Sequence, residues 1–196
     1  MEVAFLSLLF VIYLVMRYYL IDHETAAEKD TVRFQAGIDL VKQREIGAAF
    51  EYFNTLVQQH PKSAVAFAWR GRCQLLQDNY YSAIYDLTQA LNLDNTLADC
   101  YLDRGIAFYN VEQYTESFRE FDKAVWHIRD ERPDAYRWRA IARIQLRQLA
   151  QAENDLRRAV LLGDEDAFQI LRKPPFTRPV SVLTPPPAPP GMPDHR

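Results

Sequence analysis

The residue types that most often carry catalysis are scattered along this chain. The four histidines are far apart in the sequence: His23, His60, His127 and His195. There is no Walker-type phosphate loop, no HExxH metal motif and no nucleophile elbow. Cys73 and Cys100 belong to no CxxC or Cys/His cluster, so we interpret them as packing residues in a reducing compartment, with a disulfide or ligand role as the alternative. We predict that the protein is not an enzyme and binds no metal or cofactor.

Charged residues that recur at a fixed spacing predict a structural role. The same interval separates an arginine from an acidic residue in three places: Arg70 and Asp86, Arg104 and Glu120, and Arg139 and Asp155. We predict that each pair joins two neighbouring helices of one structural unit. Removing one partner of a partly buried ion pair leaves the other charge uncompensated. Arg104→Ala is therefore expected to be more destabilising than the loss of an exposed arginine.

These pairs belong to a repeat that runs from Asp30 to Asp166. If the first unit starts at Asp30, the next three start at Ala64, Ala98 and Pro133, at offsets of 34, 34 and 35 residues. Position 8 of the units is always small and position 24 is always large and apolar. Position 8 reads Gly37, Gly71, Gly105 and Ala140, and position 24 reads Phe53, Leu87, Phe121 and Leu156. Each unit is therefore predicted to contain two helices that approach closely at position 8.

This pattern resembles the tetratricopeptide repeat family, whose period is about 34 residues. The resemblance implies an all-α fold, a right-handed α-solenoid of four helix–turn–helix units that must stack to bury their apolar faces. The units cover residues 30–63, 64–97, 98–132 and 133–166. Three residues depart from the family pattern, which has an aromatic or large apolar residue there: Arg33 at position 4, and Gln74 and Arg143 at position 11.

The resemblance also implies a function, because the first helices of such units line a concave groove that binds a protein or peptide. The family's groove positions give these candidate residues: Phe34, Ile38, Arg72, Leu75, Leu102, Ile106, Tyr109, Arg137 and Ile141. The set is mainly apolar and suits an extended or helical peptide with hydrophobic anchors. The groove could instead be filled by the protein's own N-terminal helix, by its tail or by a second copy of the chain.

One binding mode of the family is not expected here. Members that capture the C-terminal carboxylate of chaperones use a Lys/Asn/Asn/Lys/Arg set in the groove. In this chain the corresponding positions hold Phe34 and Ile38 in unit one, Trp69 in unit two, and Asp99 and Asp103 in unit three. The carboxylate clamp is absent and part of it is reversed in charge, so a chaperone-tail adaptor is not predicted.

The N-terminal stretch Val3–Ile21 is the candidate membrane anchor. Residues 3–16 carry no charge, and a helix over the whole stretch would span about 28 Å, enough for the ~30 Å hydrocarbon core if Arg17 reaches the headgroups. A cleaved signal peptide or a buried partner-binding helix is the alternative. We predict one transmembrane helix over 1–21 and a linker over 22–29, with the repeats of this single-pass protein in the cytoplasm.

Two further segments follow the repeats. Residues 164–173 are predicted to form a capping helix that covers the apolar face of unit four with Phe168, Ile170 and Leu171. Residues 174–196 are rich in proline and are predicted to be extended or disordered, either as a solvated tail or as a polyproline ligand. The net charge of −3 gives no reason to expect nucleic acid as a partner.

Three hypotheses for the function are consistent with these features. We prefer a membrane-anchored scaffold that holds a protein partner in its groove. The first alternative is a structural subunit whose apolar N-terminal helix packs inside a membrane complex. The second is a periplasmic or secreted factor that handles envelope proteins, which applies if the orientation is reversed or the N-terminus is cleaved.

Overall fold

A computed structural model of the 196-residue chain describes residues 2–21, 25–128 and 132–177, with the side chains of the first helix described over 5–18. The described residues form eleven α-helices and no β-strand. The helices are α1 (Glu2–Ile21), α2 (Ala26–Arg33), α3 (Gln35–Lys42), α4 (Ile46–Gln59), α5 (Ala64–Leu76), α6 (Tyr80–Leu93), α7 (Ala98–Asn110), α8 (Tyr114–Ile128), α9 (Pro133–Gln145), α10 (Leu149–Leu161) and α11 (Glu165–Leu171).

From α3 onward the helices pack in pairs, and the pairs stack on one another. Helix α3 packs on α4, α5 on α6, α7 on α8 and α9 on α10, and the second helix of each pair packs on the first helix of the next. The buried apolar residues form three clusters that follow these contacts along the stack. The predicted all-helical repeat fold is therefore confirmed.

The small residues at position 8 mark the closest approach of the two helices in a unit. A Cβ atom added to Gly105 would lie 2.5 Å from Cε1 of Phe121, and one added to Gly71 would lie 2.9 Å from Cγ of Leu87. Both distances are too short, because nonbonded carbon atoms prefer a separation of about 3.5–4.0 Å. Phe121 and Leu87 occupy position 24 and are fully buried. The small residue thus leaves the space that the large one fills.

The turn inside each unit has one backbone geometry that occurs four times. Its residue at position 15 has a left-handed conformation, with φ between 60° and 63°: Arg44, Asp78, Glu112 and Arg147. The N–H of the following residue donates to the carbonyl five residues earlier, at 2.8–2.9 Å in all four turns. This is the Schellman arrangement, which usually places glycine at the left-handed position. Because none of the four residues is glycine, the glycine that usually predicts this turn from the sequence is missing at these positions.

The three predicted ion pairs are present in the structure. Arg70 donates Nε and Nη2 to the two carboxylate oxygens of Asp86, at 2.7 and 2.8 Å. Arg139 bonds both carboxylate oxygens of Asp155 in the same way, whereas Nε and Nη2 of Arg104 both donate to Oε2 of Glu120, at 2.8 and 2.5 Å. Each pair links the first helix of a unit to its second helix, which confirms the prediction.

Each of these arginines also makes contacts that sequence reasoning did not predict. The remaining Nη1 group donates to position 25 of the preceding unit: Arg70 to Asn54 at 2.9 Å, Arg104 to Thr88 at 3.0 Å and Arg139 to Asp122 at 2.8 Å. The guanidinium carbon also lies 5.6–5.9 Å from the ring centre at position 4 of its own unit: Phe67, Tyr101 and Tyr136. We call the arginine with its acidic partner and its bond to the preceding unit the arginine clamp.

The first unit begins earlier than predicted. Residues 26–29, predicted to belong to the linker, are part of helix α2. The N–H of Glu28 donates to Oγ1 of Thr25, and the carboxylate of Glu28 accepts from the N–H of Thr25. These two bonds form a capping box, which starts a helix by satisfying its free N–H groups. The Thr-Ala-Ala-Glu sequence carries that signal, so the linker prediction is wrong for these residues.

Helix α2 ends at Arg33 and α3 begins at Gln35, with Phe34 between them. The first unit is held by a different polar contact from the arginine clamp of the later units. Because position 7 of this unit is Ala36, it has no arginine for a clamp. Instead, Oγ of Ser63, the N-cap residue of α5, donates to Oδ2 of Asp30 at 2.5 Å. This bond ties α2 to the start of α5, and Phe34 is buried in the core.

The segment predicted as a capping helix contains α11. Asp164 caps this helix by accepting the N–H of Ala167 at 2.8 Å. Ala167 is fully buried, and Ile170 and Leu171 pack on the apolar cluster of the last pair. Phe168, which was also predicted to cover that cluster, is 46% exposed and does not pack on it.

The predicted tail and membrane anchor lie at the two ends of the chain. Of the tail over 174–196, residues 178–196 lie outside the described residues.

The described part of the chain includes no helix that is both long and apolar enough to cross a membrane. The predicted anchor over Val3–Ile21 is therefore not supported by the structure.

Removal of a clamp arginine should destabilise the fold. Asp86 is 1% exposed and accepts two bonds from Arg70, so Arg70→Ala leaves a buried carboxylate unpaired and should lower the free energy of unfolding by about 3 kcal/mol. Arg104→Ala should have a smaller effect, because Lys123 also donates to Glu120, at 3.0 Å. Urea denaturation of both variants measures the two losses.

The control for this prediction is Arg157→Ala. Arg157 pairs with Glu153 one helical turn away, and its side chain is 65% exposed. An exposed pair of this kind contributes about 0.5 kcal/mol or less. If Arg70→Ala and Arg157→Ala unfold at the same urea concentration, the clamp does not stabilise the stack.

Candidate peptide-binding groove

Helices α5 and α7, the first helices of the second and third units, border two adjacent cavities. One has a volume of about 440 Å³ and the other about 390 Å³. Both are lined by Arg72 and Asp103, which therefore lie where the cavities meet. We call the surface of the two cavities the central groove. Its lining includes Trp69, Arg72, Leu75, Asp99, Asp103, Ile106 and Arg132.

Charged side chains form a network across the central groove. Arg132 donates to Asp99 and to Asp134, with 2.5 Å between its Nη2 and Oδ2 of Asp134. Nη1 of Arg72 lies 3.9 Å from Oδ2 of Asp99 and 3.7 Å from Oδ2 of Asp103. These two distances allow an ion pair but are longer than a hydrogen bond. Among the described residues, three carboxylates thus share two guanidinium groups, which leaves an excess of negative charge.

Asp103 is the most buried carboxylate of this network. It is 8% exposed although it lines both cavities. Burial raises the pKa of Asp103 to about 6, while Arg72 opposes the shift and Asp99 adds to it. A carboxylate loses its hydration when it is buried, and only a close cation or hydrogen-bond donor compensates for that loss. Asp103 therefore titrates much closer to neutral pH than an exposed aspartate.

Aromatic rings hold the walls of the central groove in place. The ring of Trp69 stacks on Phe53 with 6.0 Å between the ring centres, and the guanidinium of Arg72 lies 5.4 Å from the Trp69 ring. Farther along, His127 stacks on Tyr101 with 5.1 Å between the ring centres. Because large rings packed on each other have few alternative positions, these contacts fix Arg72 and His127 at the edge of the larger cavity.

The predicted groove residues do not all reach the groove. Arg72, Leu75 and Ile106 line it. Three others are no more than 4% exposed and belong to the core: Phe34, Ile38 and Leu102. Placing these three in the groove was wrong, because a large apolar side chain beside a neighbouring helix is stabilised by burial there, at roughly 25 cal/mol per Å² removed from water.

The remaining predicted residues, Tyr109, Arg137 and Ile141, lie in the third and fourth units. The ring of Tyr109 packs on Trp138 with 5.9 Å between the ring centres. Nε of Arg137 donates to Asp164 at 2.8 Å, so this arginine fastens the start of α11. Ile141 is half-buried. These three residues do not line the central groove.

Most lining residues of the central groove were not in the candidate set, among them Trp69, Asp99, Asp103 and Arg132. Trp69, Asp99 and Asp103 occupy positions where the tetratricopeptide repeat proteins that capture a chaperone tail carry their carboxylate clamp, so the available signal was the position in the repeat. Arg132 had no such signal, because it lies in the connection between α8 and α9 that holds the one extra residue of the repeat. Its position in the groove depends on how the third and fourth units stack.

The described residues offer little for metal or thiol chemistry. Within 2–21, 25–128 and 132–177, no group of three or more histidine, cysteine, aspartate or glutamate residues is placed to hold a metal ion. Cys73 and Cys100 are free and buried, as predicted. Burial raises the pKa of Cys73 to about 11 and also raises the pKa of Cys100. A thiol that stays protonated is a poor nucleophile, so both cysteines act as packing residues.

Comparison with known proteins gives a fold and little else. No family profile matches the chain. The SGT1 homolog of Bos taurus is 26% identical over 88 residues, which cover 45% of this chain and 26% of that protein. MamA from Desulfovibrio magneticus RS-1 is 19% identical, with a TM-score of 0.60 over 66% of this chain and 72% of that chain. The Arabidopsis OM64 TPR domain is 20% identical, with a TM-score of 0.54 over 61% and 98%.

A further solved structure is the first TPR of Spaghetti (RPAP3) bound to the HSP90 peptide SRMEEVD. It is 24% identical, with a TM-score of 0.53 over 56% of this chain and 87% of that chain. Together with the repeated helix pairs, these likenesses show that the chain has a tetratricopeptide-type helical repeat fold. The chain spans about a quarter of the SGT1 homolog that it matches.

Asp103 should give the folded state an unusual pH dependence. Its pKa is about 6 in the folded protein, against about 3.9 for an unfolded aspartate. The folded state therefore holds the proton more tightly, and this group lowers stability as the pH rises from about 4 through 6. The Asp103→Asn variant cannot ionise at this position and so avoids this loss of stability. We therefore expect its melting temperature to be higher than that of the wild type at pH 8 and equal to it at pH 4. A lower melting temperature at pH 8 would contradict this, and Glu51→Gln on the exposed surface is the control.

Proposed function

We propose that this chain is a non-catalytic scaffold that holds a segment of a protein partner in the central groove. The observation that supports the proposal is the pair of adjacent cavities between the first helices, with apolar walls and a few charged groups. Apolar walls favour binding, and a small number of polar groups fix the orientation of the ligand. The RPAP3 structure of the same fold is bound to a peptide, which makes a peptide segment a reasonable ligand class here.

The segment that we propose differs from the peptide in that structure. SRMEEVD carries several carboxylates, whereas the central groove already holds Asp99 and Asp103, and one of its two arginines, Arg132, is also paired with Asp134. Like charges at short distance repel, and the repulsion grows where water is excluded. The proposed partner segment is therefore not an acidic chaperone tail.

We also propose that α1 attaches the repeats to a membrane and that the repeats lie on its cytoplasmic side. The support is the surface of α1, where every apolar side chain described between Phe5 and Met16 is at least 45% exposed. A contiguous apolar surface of this kind is unfavourable in water and usually contacts lipid or another protein. Arg17 follows this stretch and has a stem long enough to reach lipid headgroups.

Site-specific photocrosslinking tests the scaffold function. We would place a photoreactive residue at Ile106 in the central groove and, as the control, at Tyr85, which is exposed on α6. The expected result in the native cell is a discrete adduct with a foreign protein from Ile106 and none from Tyr85. An adduct from Ile106 only to the chain itself would mean that the groove is filled internally or by a second copy, and the scaffold function would be rejected.

Membrane fractionation tests the role of α1. We expect the protein to stay in the membrane pellet after alkaline carbonate extraction, and Leu9→Asp combined with Leu14→Asp to release it. Protease should cut the repeats only when the cytoplasmic face is accessible. Release of the wild-type chain into the supernatant would contradict the attachment. Retention of other membrane chains on α1 after detergent extraction would instead favour a structural subunit of a membrane complex.

A further inference from the structure

The central groove contains a buried carboxylate whose hydrogen-bonding capacity is not used by its nearest ion-pair partner. Asp103 is 8% exposed, and Arg72 approaches it only to 3.7 Å. That distance is longer than the 2.7–2.9 Å typical of a charge-assisted hydrogen bond. Arg72 is held back because its guanidinium lies over the ring of Trp69 and is shared with Asp99. Among the described residues the carboxylate therefore has no close hydrogen-bond donor, and it lines the cavity.

The surrounding charges determine which kind of group would satisfy Asp103. Asp99, Asp103 and Asp134 face Arg72 and Arg132, and the hydrogen bonds of Arg132 go to Asp99 and Asp134. Among the described residues the network therefore has more negative than positive charge, and Asp103 is the carboxylate without a close cation. A cationic donor would supply both the missing charge and the missing hydrogen bond, whereas a neutral donor would supply only the second.

The shape of the larger cavity fits a long side chain. Its volume of about 440 Å³ lies within the range of about 300–1,000 Å³ seen for small-ligand sites. Val65, Ala68 and Ile128 line it beside the charged groups. Lysine and arginine have a hydrocarbon stem that packs on apolar walls while the charged end reaches a polar partner. One such side chain could contact these walls and reach Asp103.

We propose that the central groove recognises a basic side chain, lysine or arginine, of the bound protein segment, and that Asp103 receives its charged end with Asp99 beside it. This inference rests on the proposed scaffold function and adds the chemistry of the ligand to it. It reverses the charge preference of a groove that binds a carboxylate tail. Neighbouring apolar residues of the segment would then contact Leu75 and Ile106 in the second cavity.

Peptide pools of defined central residue test this specificity on the purified full-length chain. The pools are acetylated, amidated nonapeptides with mixed alanine, leucine, serine and valine flanks around a fixed lysine, arginine, norleucine or glutamate. We expect the lysine and arginine pools to bind about tenfold more tightly than the norleucine pool, which corresponds to about 1.4 kcal/mol. Asp103→Asn should reduce that preference to about twofold or less, while Glu51→Gln on the surface of α4 should leave it unchanged.

The pH dependence of the same measurement provides a second readout. The arginine pool keeps its charge, so its advantage over norleucine should shrink between pH 8 and pH 5 as Asp103 takes up a proton. Among the described residues, the other titratable or charged groups that line the cavity are Arg72, Asp99, Cys100, His127 and Arg132, and Asp134 is bonded to Arg132. A His127→Gln variant should show the same pH dependence, and Asp103→Asn should show none.

The outcomes separate this inference from the scaffold function. Equal binding of all pools, or the tightest binding for glutamate, overturns the inference, and the scaffold function stands if Ile106 still crosslinks to a foreign protein. No binding by any pool also overturns the inference, because a basic residue among apolar ones is then not sufficient. Crosslinks from Ile106 to residues 178–196 or to a second copy would assign the groove to the chain itself and overturn both.

Discussion

Each unit from the second to the fourth is joined to its predecessor by one arginine that makes three contacts at once. Arg139, for example, bonds Asp155 in its own unit, reaches Asp122 in the unit before and lies over the ring of Tyr136. Planar guanidinium groups suit such shared contacts, because their five N–H donors point in fixed directions. Repeat units cannot bury their apolar faces alone, so a residue that couples a helix pair to its neighbour affects both the unit and the stack.

Departures from the repeat pattern appear in the structure as local polar defects. Position 11 holds Gln74 and Arg143, where the tetratricopeptide repeat pattern has a large apolar residue. Oε1 of Gln74 and Nε of Arg143 are buried without a hydrogen-bond partner among the described residues. Each such atom costs about 1–3 kcal/mol. Arg143 regains part of that cost, because its Nη1 donates to Asp155 at 2.5 Å and so adds to the clamp of the fourth unit.

The groove exists only because the units stack. Arg72 comes from the second unit, Asp99 and Asp103 from the third, and Arg132 from the connection to the fourth. The excess of carboxylate over guanidinium is therefore a property of the assembled stack and not of any single repeat. The assembly of the stack also places charged residues at the centre of the groove, although the residues predicted to line the groove were mainly apolar. Some of the predicted apolar residues, such as Leu102, are instead buried in the core.

The sequence by itself determined the helix pairs, their stacking order and the three ion pairs. These follow from the repeat, because small, large and charged residues recur at fixed positions and each helix pair packs on the next pair in the same way. It also contained the capping box at Thr25 that extends the first unit. Only the tertiary structure decided which residues face the groove, because exposure depends on the angle between adjacent first helices. It likewise placed Arg132 beside Asp99 and buried Asp103 without a close donor among the described residues, since these contacts join units whose relative position no single repeat encodes.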